Sequence, residues 1–219
     1  MHGVAVLTDQ QPSQATITSA SHPPIGPYHR VPVQVHQADP HASQVARRLK
    51  ALIATCWQAT PAEHVGSSAV PGLAGKNIVD LLMAAAPADI PAIAAALLEL
   101  GFQPQSPTAF PATRPMLWGT FRHRQTDYRI HVHVVPASSP EVTAMRGFRD
   151  ALRADPRLRR RYAALKQAIV AGGPVDPMVF SNAKHDWIIA TLGQLGLASG
   201  RQRRLYENVP SLESSRLAS

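Results

Sequence analysis

The alternation of apolar and polar residues predicts a β-sheet built from the middle of the chain. An aliphatic and β-branched run from Asn77 to Ala85 is typical of a buried strand. Strand patterns return at Met116–Arg122 and Tyr128–Val135, and the HRQTD segment that joins them indicates a hairpin turn. We expect this hairpin to extend the sheet in an antiparallel arrangement. Shorter strands are predicted at Val31–Val35 and Glu63–Gly66.

Helical spacing replaces this alternation in other regions. Apolar residues recur every three to four positions from about Pro40 to Thr55, directly after Asp39, which is predicted to cap the helix. An Ala/Leu-rich helix is predicted over Ala88–Leu100, with Gly101 in the position where helices commonly end. Three more helices are predicted further on: Pro140–Ala154, one that begins at Asp155-Pro156, and one from about Pro177 to Leu195. A mixed sheet followed by helices indicates an α+β (mixed α/β) fold with a C-terminal helical layer.

Both ends of the chain lack this periodicity. Residues 1–28 mix Gln, Ser, Thr, His and Pro and are predicted to form a flexible arm. Residues 197–219 scatter arginines among small polar residues and are predicted to form a flexible basic tail. The remaining residues, 29–196, are expected to fold as one domain, because a hydrophobic share of 45% with 16% charged residues can offset the entropy of ordering.

The composition limits the expected cellular location and the expected binding partners of the protein. The formal net charge of +8 indicates attraction to phosphates, nucleic acid or other anions. No apolar run reaches the roughly 18–20 residues of a membrane span, because Asp80 interrupts the best one, and the first residues lack a secretion signal. The single cysteine, Cys56, has no disulfide partner and no nearby base, which favours a structural thiol. We therefore expect no membrane partner and a cytoplasmic location.

Asp80 is the first candidate for chemistry. It interrupts the apolar strand IVDLLM, where an ionised carboxylate is costly unless it is paired or coordinates a metal. The competing interpretation is a structural ion pair with Lys76 or an arginine.

A second candidate is the strand YRIHVHVV. Strand alternation places Arg129, His131 and His133 on one face and apolar residues on the other. If that polar face meets Asp80, the three side chains form a metal site or a general base; two imidazoles suit Zn²⁺ better than Mg²⁺. A hydrogen-bonded polar cluster that lines a pocket is the alternative.

Three segments carry a resemblance to a known family. HVGSSAVPGLAGKNIVD (64–80), IHVHVVPASSPE (130–141) and FRDALRADPRLRRRYAALK (148–166) resemble the GrpB family (UPF0157-type), within the nucleotidyltransferase-like superfamily. Phe180 and Lys184, followed by a terminal helix, also fit. Asn77 stands where the family pattern has proline. The resemblance covers residues 31–195 and implies a nucleotidyltransferase-like mixed sheet with helices packed on it.

The same resemblance implies the ligand-binding residues. In nucleotidyltransferases a Gly-Ser pair at the start of a helix grips a phosphate through backbone N–H groups and a hydroxyl. A tight turn that needs small residues is the structural alternative for this segment, and a capping or orienting role is the alternative for His64. Gly66, Ser67 and Ser68 are the candidate phosphate-binding residues of this turn. Further candidates by residue type and position are His64, Lys76, Arg122, Arg129 and Lys184. An exposed loop lysine is the alternative for Lys76, and an ordinary surface arginine is the favoured interpretation of Arg122.

One departure from the nucleotidyltransferase pattern divides the function hypotheses. Active enzymes carry a second carboxylate two residues after Asp80, where this chain has Leu82. The first hypothesis is a protein that binds a nucleotide or other phosphorylated ligand and carries out metal-assisted nucleotidyl or related group transfer with Mg²⁺ or Zn²⁺. The alternative is a non-catalytic ligand-binding or regulatory module linked to coenzyme A metabolism, because the family also occurs fused to dephospho-CoA kinase.

Nucleic acid is the partner that the sequence favours least. Arginines recur every three to four residues along two predicted helices and could form a basic ridge for a polyanion. No aromatic stacking platform accompanies them, so a solvated helix face is the favoured interpretation. The stripe comprises Arg146, Arg149, Arg153, Arg157 and Arg160. Tyr162 is predicted to belong to the core.

Overall fold

The computed structural model describes residues 23–105 and 110–197, and its centre is a five-stranded mixed sheet. The strands are β1 (Glu63–Val65), β2 (Ile78–Ala85), β3 (Gln103–Pro104), β4 (Met116–His123) and β5 (Thr126–Pro136). Their order across the sheet is β1-β2-β5-β4-β3. The predicted hairpin is present as β4 and β5. β5, however, inserts beside β2 and runs parallel to it, so the expected antiparallel extension holds only between β4 and β5.

In the part of the chain that the structure describes, five α-helices accompany the sheet: α1 (Ala42–Cys56), α2 (Ile90–Glu99), α3 (Pro140–Ala154), α4 (Pro156–Ile169) and α5 (Pro177–Gln194). Asp155 caps α4 through the Arg157 amide, as predicted. The prediction that Asp39 caps α1 is wrong. The Asp39 carboxylate accepts from the His41 amide at 2.7 Å and closes a turn of its own, so the helix begins at Ala42.

The predicted strand at Val31–Val35 is also wrong. Only an isolated bridge forms there, in which Val33 and Val175 exchange backbone hydrogen bonds of 2.7 and 3.2 Å. Pro32 has no N–H to donate to a longer ladder, so the alternating pattern finds no continuous partner.

The two faces of the sheet have different roles. Alternate residues of β2 and β5, such as Leu81 and Val132, are fully buried and pack with α1 and α2 in the largest hydrophobic cluster. The opposite face bears polar side chains beside a second cluster supplied mainly by α3, α4 and α5, which includes the buried Tyr162. The predicted mixed α/β fold with a C-terminal helical layer is therefore confirmed.

The chain just before α1 also belongs to the packed structure. Ile25 is 1% exposed, and Gly26 and Thr120 exchange backbone hydrogen bonds of 2.8 and 2.9 Å. Residues 23–28, which the sequence pattern assigned to the arm, thus pack on β4. Most of the arm, residues 1–22, and the tail from residue 198 lie outside the described residues. No helix in the described ranges is long and apolar enough to cross a membrane.

Candidate functional site

The polar face of β2 and β5 brings Asp80, His131 and His133 together. Asp80 lies opposite His131 in the parallel register, and His133 follows two residues later on the same face. The Oδ1 atom of Asp80 is 3.3 Å from Nδ1 of His131 and 3.6 Å from Nε2 of His133. Their side chains are 14–24% exposed, so a ligand in the adjoining cavity can reach them although bulk water is mostly excluded.

The electrostatics of this cluster favour a charged carboxylate beside a neutral imidazole. Burial alone would raise the pKa of Asp80, but the hydrogen bonds and charges of the two histidines outweigh it and hold that pKa well below its usual range. Burial lowers the pKa of His131, against the opposing effect of Asp80. An ionised carboxylate and a neutral imidazole are the forms that bind metal ions.

The three ligand atoms fit a tetrahedral transition metal. They all lie within 4.8 Å of one another. Ligands at about 2.0–2.1 Å from Zn²⁺ are separated by about 3.3–3.4 Å in a tetrahedron, close to the separations of 3.3 and 3.6 Å between Oδ1 of Asp80 and the two histidine nitrogens. A pair of Mg²⁺ ions would need more oxygen ligands than one carboxylate supplies. The donor set therefore fits Zn²⁺ or a similar ion better than Mg²⁺.

Leu82 stands where nucleotidyltransferases carry a second metal-binding carboxylate. Its side chain is 0% exposed and packs with Val65, Val135 and Val142 in a third hydrophobic cluster. The position that holds a carboxylate in nucleotidyltransferases is thus part of the core in this chain.

Position 66 requires glycine because of its backbone conformation and its close approach to Asp80. Its backbone has φ 69° and ψ −169°, a conformation that is essentially restricted to glycine. A Cβ at Gly66 would collide with the Asp80 carboxylate and lie only 3.0 Å from its Cγ. Ser67–Ala69 then forms a single 3₁₀ turn. A turn this short carries little dipole, so the helix-dipole argument for phosphate binding does not apply here.

We expect Gly66→Ala to lower the free energy of unfolding by about 2–4 kcal/mol, because backbone strain and the collision with Asp80 combine. Gly72→Ala is the matched control. Gly72 also has a positive φ, 73°, but a Cβ there meets no atom within 4 Å, so only about 1–2 kcal/mol of strain applies. Urea unfolding measures both, and equal losses would show that the Asp80 contact is unimportant.

A cavity of about 580 Å³ opens in front of the cluster. Its lining includes two carboxylates, Asp39 and Asp80, but six cationic side chains: Arg30, Lys76, Arg129, Arg149, Lys166 and Lys184. Within residues 23–105 and 110–197, the three lysines have no carboxylate within ion-pair distance. The cavity is therefore lined by more basic than acidic side chains.

The lysines are held close together at low cost only when they are not all charged. Burial, assisted by the charge of Lys76, lowers the pKa of Lys166 to about 7. Burial and the charges of both neighbours hold the pKa of Lys184 well below its usual value. The Nζ atoms of Lys184 and Lys76 lie 4.5 and 5.6 Å from the centre of the Phe180 ring. An anion that entered the cavity would favour the protonated amines.

Two predicted ligand residues do not line this cavity. Arg122 pairs with Asp127 at 2.9 Å near the hairpin turn, where both side chains are more than half exposed. Strand alternation predicts which face of the sheet Arg122 occupies, but it does not predict which end of the strand lies at the cavity.

His64 contacts the Ser68 hydroxyl at 3.0 Å, and burial lowers the pKa of His64 to about 4. A neutral His64 thus orients the turn, while Ser67 and Ser68 line the cavity.

The arginine stripe of α3 is only partly solvated: the Arg149 side chain is 14% exposed, and those of Arg146 and Arg153 are 43% exposed. Arg146 pairs with Glu63, Arg149 donates to the His64 carbonyl at 3.1 Å, and Arg153 donates to the Ala69 carbonyl at 2.8 and 2.9 Å. The expected solvated face is therefore wrong for Arg149, whereas Arg146 and Arg153 keep exposed side chains while they also help to hold α3 against β1 and the Gly66 turn. Arg157 and Arg160 are exposed, as expected.

Sequence reasoning missed Lys166, Tyr28 and Trp118. Lys166 is 1% exposed, donates to the Ala74 carbonyl and lies 3.2 Å from the Ser67 hydroxyl. Its signal is spacing, since it continues the buried series of Leu158 and Tyr162 along α4. Tyr28 stacks on Trp118 with ring centres 4.3 Å apart, and its hydroxyl lies 3.1 Å from Nε2 of His131.

The five-stranded sheet and the helices packed on it form a nucleotidyltransferase-like fold. The crystal structure of the conserved protein GrpB from Enterococcus faecalis superposes with a TM-score of 0.60 at 20% identity, covering 75% of this chain and 97% of that one. The structure of a GLD-2/RNP-8 complex matches with a TM-score of 0.50 at 14% identity, covering 80% of this chain and 70% of that one. At these identities the likeness establishes the fold alone.

The chain belongs to the GrpB family, because residues 32–194 match the GrpB protein family. The UPF0157 protein PA4798 of Pseudomonas aeruginosa is 36% identical over 137 residues, which cover 60% of this chain and 54% of that protein. The UPF0157 protein SCO7215 of Streptomyces coelicolor is 35% identical over 139 residues, covering 62% of this chain and 69% of that protein. The matched part is thus little more than half of the Pseudomonas protein. The predicted resemblance to the GrpB family is confirmed.

Proposed function

We propose that this protein binds a nucleotide or another phosphorylated small molecule in the cavity and assists group transfer with a divalent metal ion held by Asp80, His131 and His133. The observation that supports this proposal is that candidate metal ligands and a group of lysines line the same cavity. The ligand atoms of Asp80, His131 and His133 lie within 4.8 Å of one another and face the same space as three lysines that form no ion pair with a carboxylate of the described residues. Metal ligands beside several basic side chains suit a substrate that bears phosphates.

Each group has a distinct role in this proposal. Lys76, Lys166 and Lys184 would bind phosphate oxygens as point charges. Asp80, His131 and His133 would hold the metal ion, which would supply charge neutralisation at a phosphate oxygen. Gly66 keeps the backbone clear of the Asp80 carboxylate, so the turn and the metal ligands form one wall of the cavity.

A non-catalytic binding module is the second candidate, and Leu82 favours it. Because that side chain is fully buried in an apolar cluster, the cavity lacks the carboxylate set of an active two-metal enzyme. Such a module would use the same lysines to bind a phosphorylated ligand. Coenzyme A precursors belong among its candidate ligands, given the link that the family resemblance implies.

Binding of ATP or tripolyphosphate is expected to take up protons, about one per site at pH 8. The pKa of Lys166 is about 7 before binding, and a nearby anion raises it, so the complex holds more protons than the separate molecules. The affinity should therefore fall as the pH rises from 7 to 9. Isothermal titration in buffers of different ionisation enthalpy, with and without Zn²⁺, measures both effects.

The matched variants are Lys184→Met in the cavity and Lys50→Met on the exposed surface of α1. Lys184→Met should weaken anion binding at least tenfold, and Lys50→Met should not change it. Equal affinities in all three proteins would place the anion elsewhere and refute the proposed site. Binding that is the same with and without metal would favour the module over the enzyme.

A further inference from the structure

Tyr28 reaches the candidate metal ligands from a segment that lies before the matched family region, residues 32–194. The segment is held on β4 ahead of Tyr28, where Thr120 exchanges backbone hydrogen bonds with Gly26 and donates its hydroxyl to the Pro27 carbonyl at 2.8 Å. The Tyr28 amide itself donates to the Gln103 side chain at 3.1 Å. Its backbone position is therefore defined.

Stacking then fixes the direction of the Tyr28 ring. Trp118 lies opposite His131 in the β4–β5 register, and the Tyr28 ring lies flat on Trp118 with an angle of 7° between the ring planes. This stacking places the phenol oxygen 3.1 Å from Nε2 of His131. The other ring nitrogen, Nδ1, lies 3.3 Å from Asp80. His131 is thus held at both nitrogens.

A phenol suits this position because it can both donate and accept a hydrogen bond. When Nδ1 of His131 donates to Asp80, the Tyr28 hydroxyl can donate to Nε2. When Nδ1 binds a cation, the proton must sit on Nε2, and the Tyr28 oxygen can accept it. Imidazoles that bind metals usually donate their second N–H to such a partner, which fixes the ring and its tautomer.

We propose that Tyr28 is a positioning residue that fixes the ring orientation of His131 for metal binding and accepts its Nε2 proton when Nδ1 binds the ion. This inference rests on the proposed metal site. It also makes the segment around residues 25–28 a working part of the site in this chain, beyond the region that the family match covers.

Tyr28→Phe keeps the stacking on Trp118 and removes only the hydroxyl, so it tests the inference directly. Titration of the whole protein with Zn²⁺, and with Co²⁺ followed by absorption, should show binding that is weaker by about 10–100-fold. Tyr128→Phe is the matched control, because Tyr128 is also on the sheet but is buried on the opposite face. Both variants should melt within a few degrees of the parent protein, whereas only Tyr28→Phe should lose affinity.

Long-range ¹H–¹⁵N spectra of the histidine rings give an independent measurement without metal. His131 should carry its proton on Nδ1 in all three proteins, because Asp80 accepts it. The unprotonated Nε2 should show the ¹⁵N shift of a hydrogen-bonded nitrogen in the parent protein and in Tyr128→Phe, and that shift should be lost in Tyr28→Phe. An unchanged Nε2 shift, or metal affinities within about twofold of the parent, would overturn the role of Tyr28. If the parent protein binds no metal, the proposed metal function fails, and the Nε2 shift alone decides whether Tyr28 holds the His131 ring.

Discussion

Asp80→Asn is expected to abolish metal binding at the cluster. The loss of affinity should exceed the roughly 10–100-fold that is typical for residues that only hydrogen-bond to a metal-binding side chain. The substitution removes the sole carboxylate of the set and replaces an anionic oxygen by a neutral amide. The asparagine oxygen can still accept from Nδ1 of His131, so the free energy of unfolding should fall by no more than about 1–2 kcal/mol. Zn²⁺ titration and urea unfolding separate the two effects.

The same change at Asp127 is the control for Asp80→Asn. Asp127 lies on β5 as well, but its partner is Arg122 near the hairpin turn, and its side chain is 54% exposed. Asp127→Asn should leave metal affinity and any metal-dependent turnover unchanged. Full activity in Asp80→Asn would rule out a metal-assisted role for Asp80, and a large loss of stability would instead identify a structural ion pair.

Lys166→Met is expected to raise the free energy of unfolding at pH 7 while weakening anion binding. The pKa of Lys166 falls from 10.5 to about 7 on folding, a difference worth about 4–5 kcal/mol against the folded state. Loss of the hydrogen bonds to the Ala74 carbonyl and the Ser67 hydroxyl offsets about 2 kcal/mol of this. The net gain should be about 2 kcal/mol.

The pH dependence gives this prediction a definite sign. Between pH 7 and about 10.5 the unfolded chain holds a proton on Lys166 that the folded chain lacks, so the stability of the parent protein rises with pH through this residue. The variant lacks that contribution. The difference in free energy of unfolding between Lys166→Met and the parent protein should be largest near pH 7 or below and should shrink as the pH approaches 10.

Urea unfolding at several pH values, beside ATP titrations, measures both properties. Lys50→Met on the exposed surface of α1 is the control and should change neither. A Lys166→Met protein that is less stable at pH 7 would show that the amine is mainly a structural link between α4 and the loop before β2. A residue that costs stability but is needed for binding is typical of a functional site.

The candidate cluster could be predicted because it follows from strand alternation. The IHVHVV segment places His131 and His133 on one face, and the cost of a carboxylate in an apolar strand marks Asp80. That Asp80 and His131 are direct neighbours could not be predicted, because β5 inserts beside β2 only after the chain has passed through α2, β3 and β4. Such a long-range pairing leaves no trace in local periodicity.

The cations of the site were harder to predict for a related reason. A lysine pattern gives no sign of burial, so Lys166 is recognisable only through its spacing from Leu158 and Tyr162 on α4. The arginines of α3 have the spacing of a solvated face, yet Arg149 and Arg153 donate to carbonyls of residues more than eighty positions earlier. Acceptors that belong to a distant backbone are invisible to composition and periodicity.

The position of the cluster at the centre of the sheet has a consequence for ion selectivity. β2 is paired with β1 and β5, and β5 is paired with β2 and β4, so neither strand that carries the ligands is an edge strand. Ligands carried by two doubly paired strands cannot move apart through backbone shifts without breaking hydrogen bonds between the strands. We therefore expect the proposed site to reject ions such as Ca²⁺, which require six to eight oxygens at about 2.3–2.6 Å.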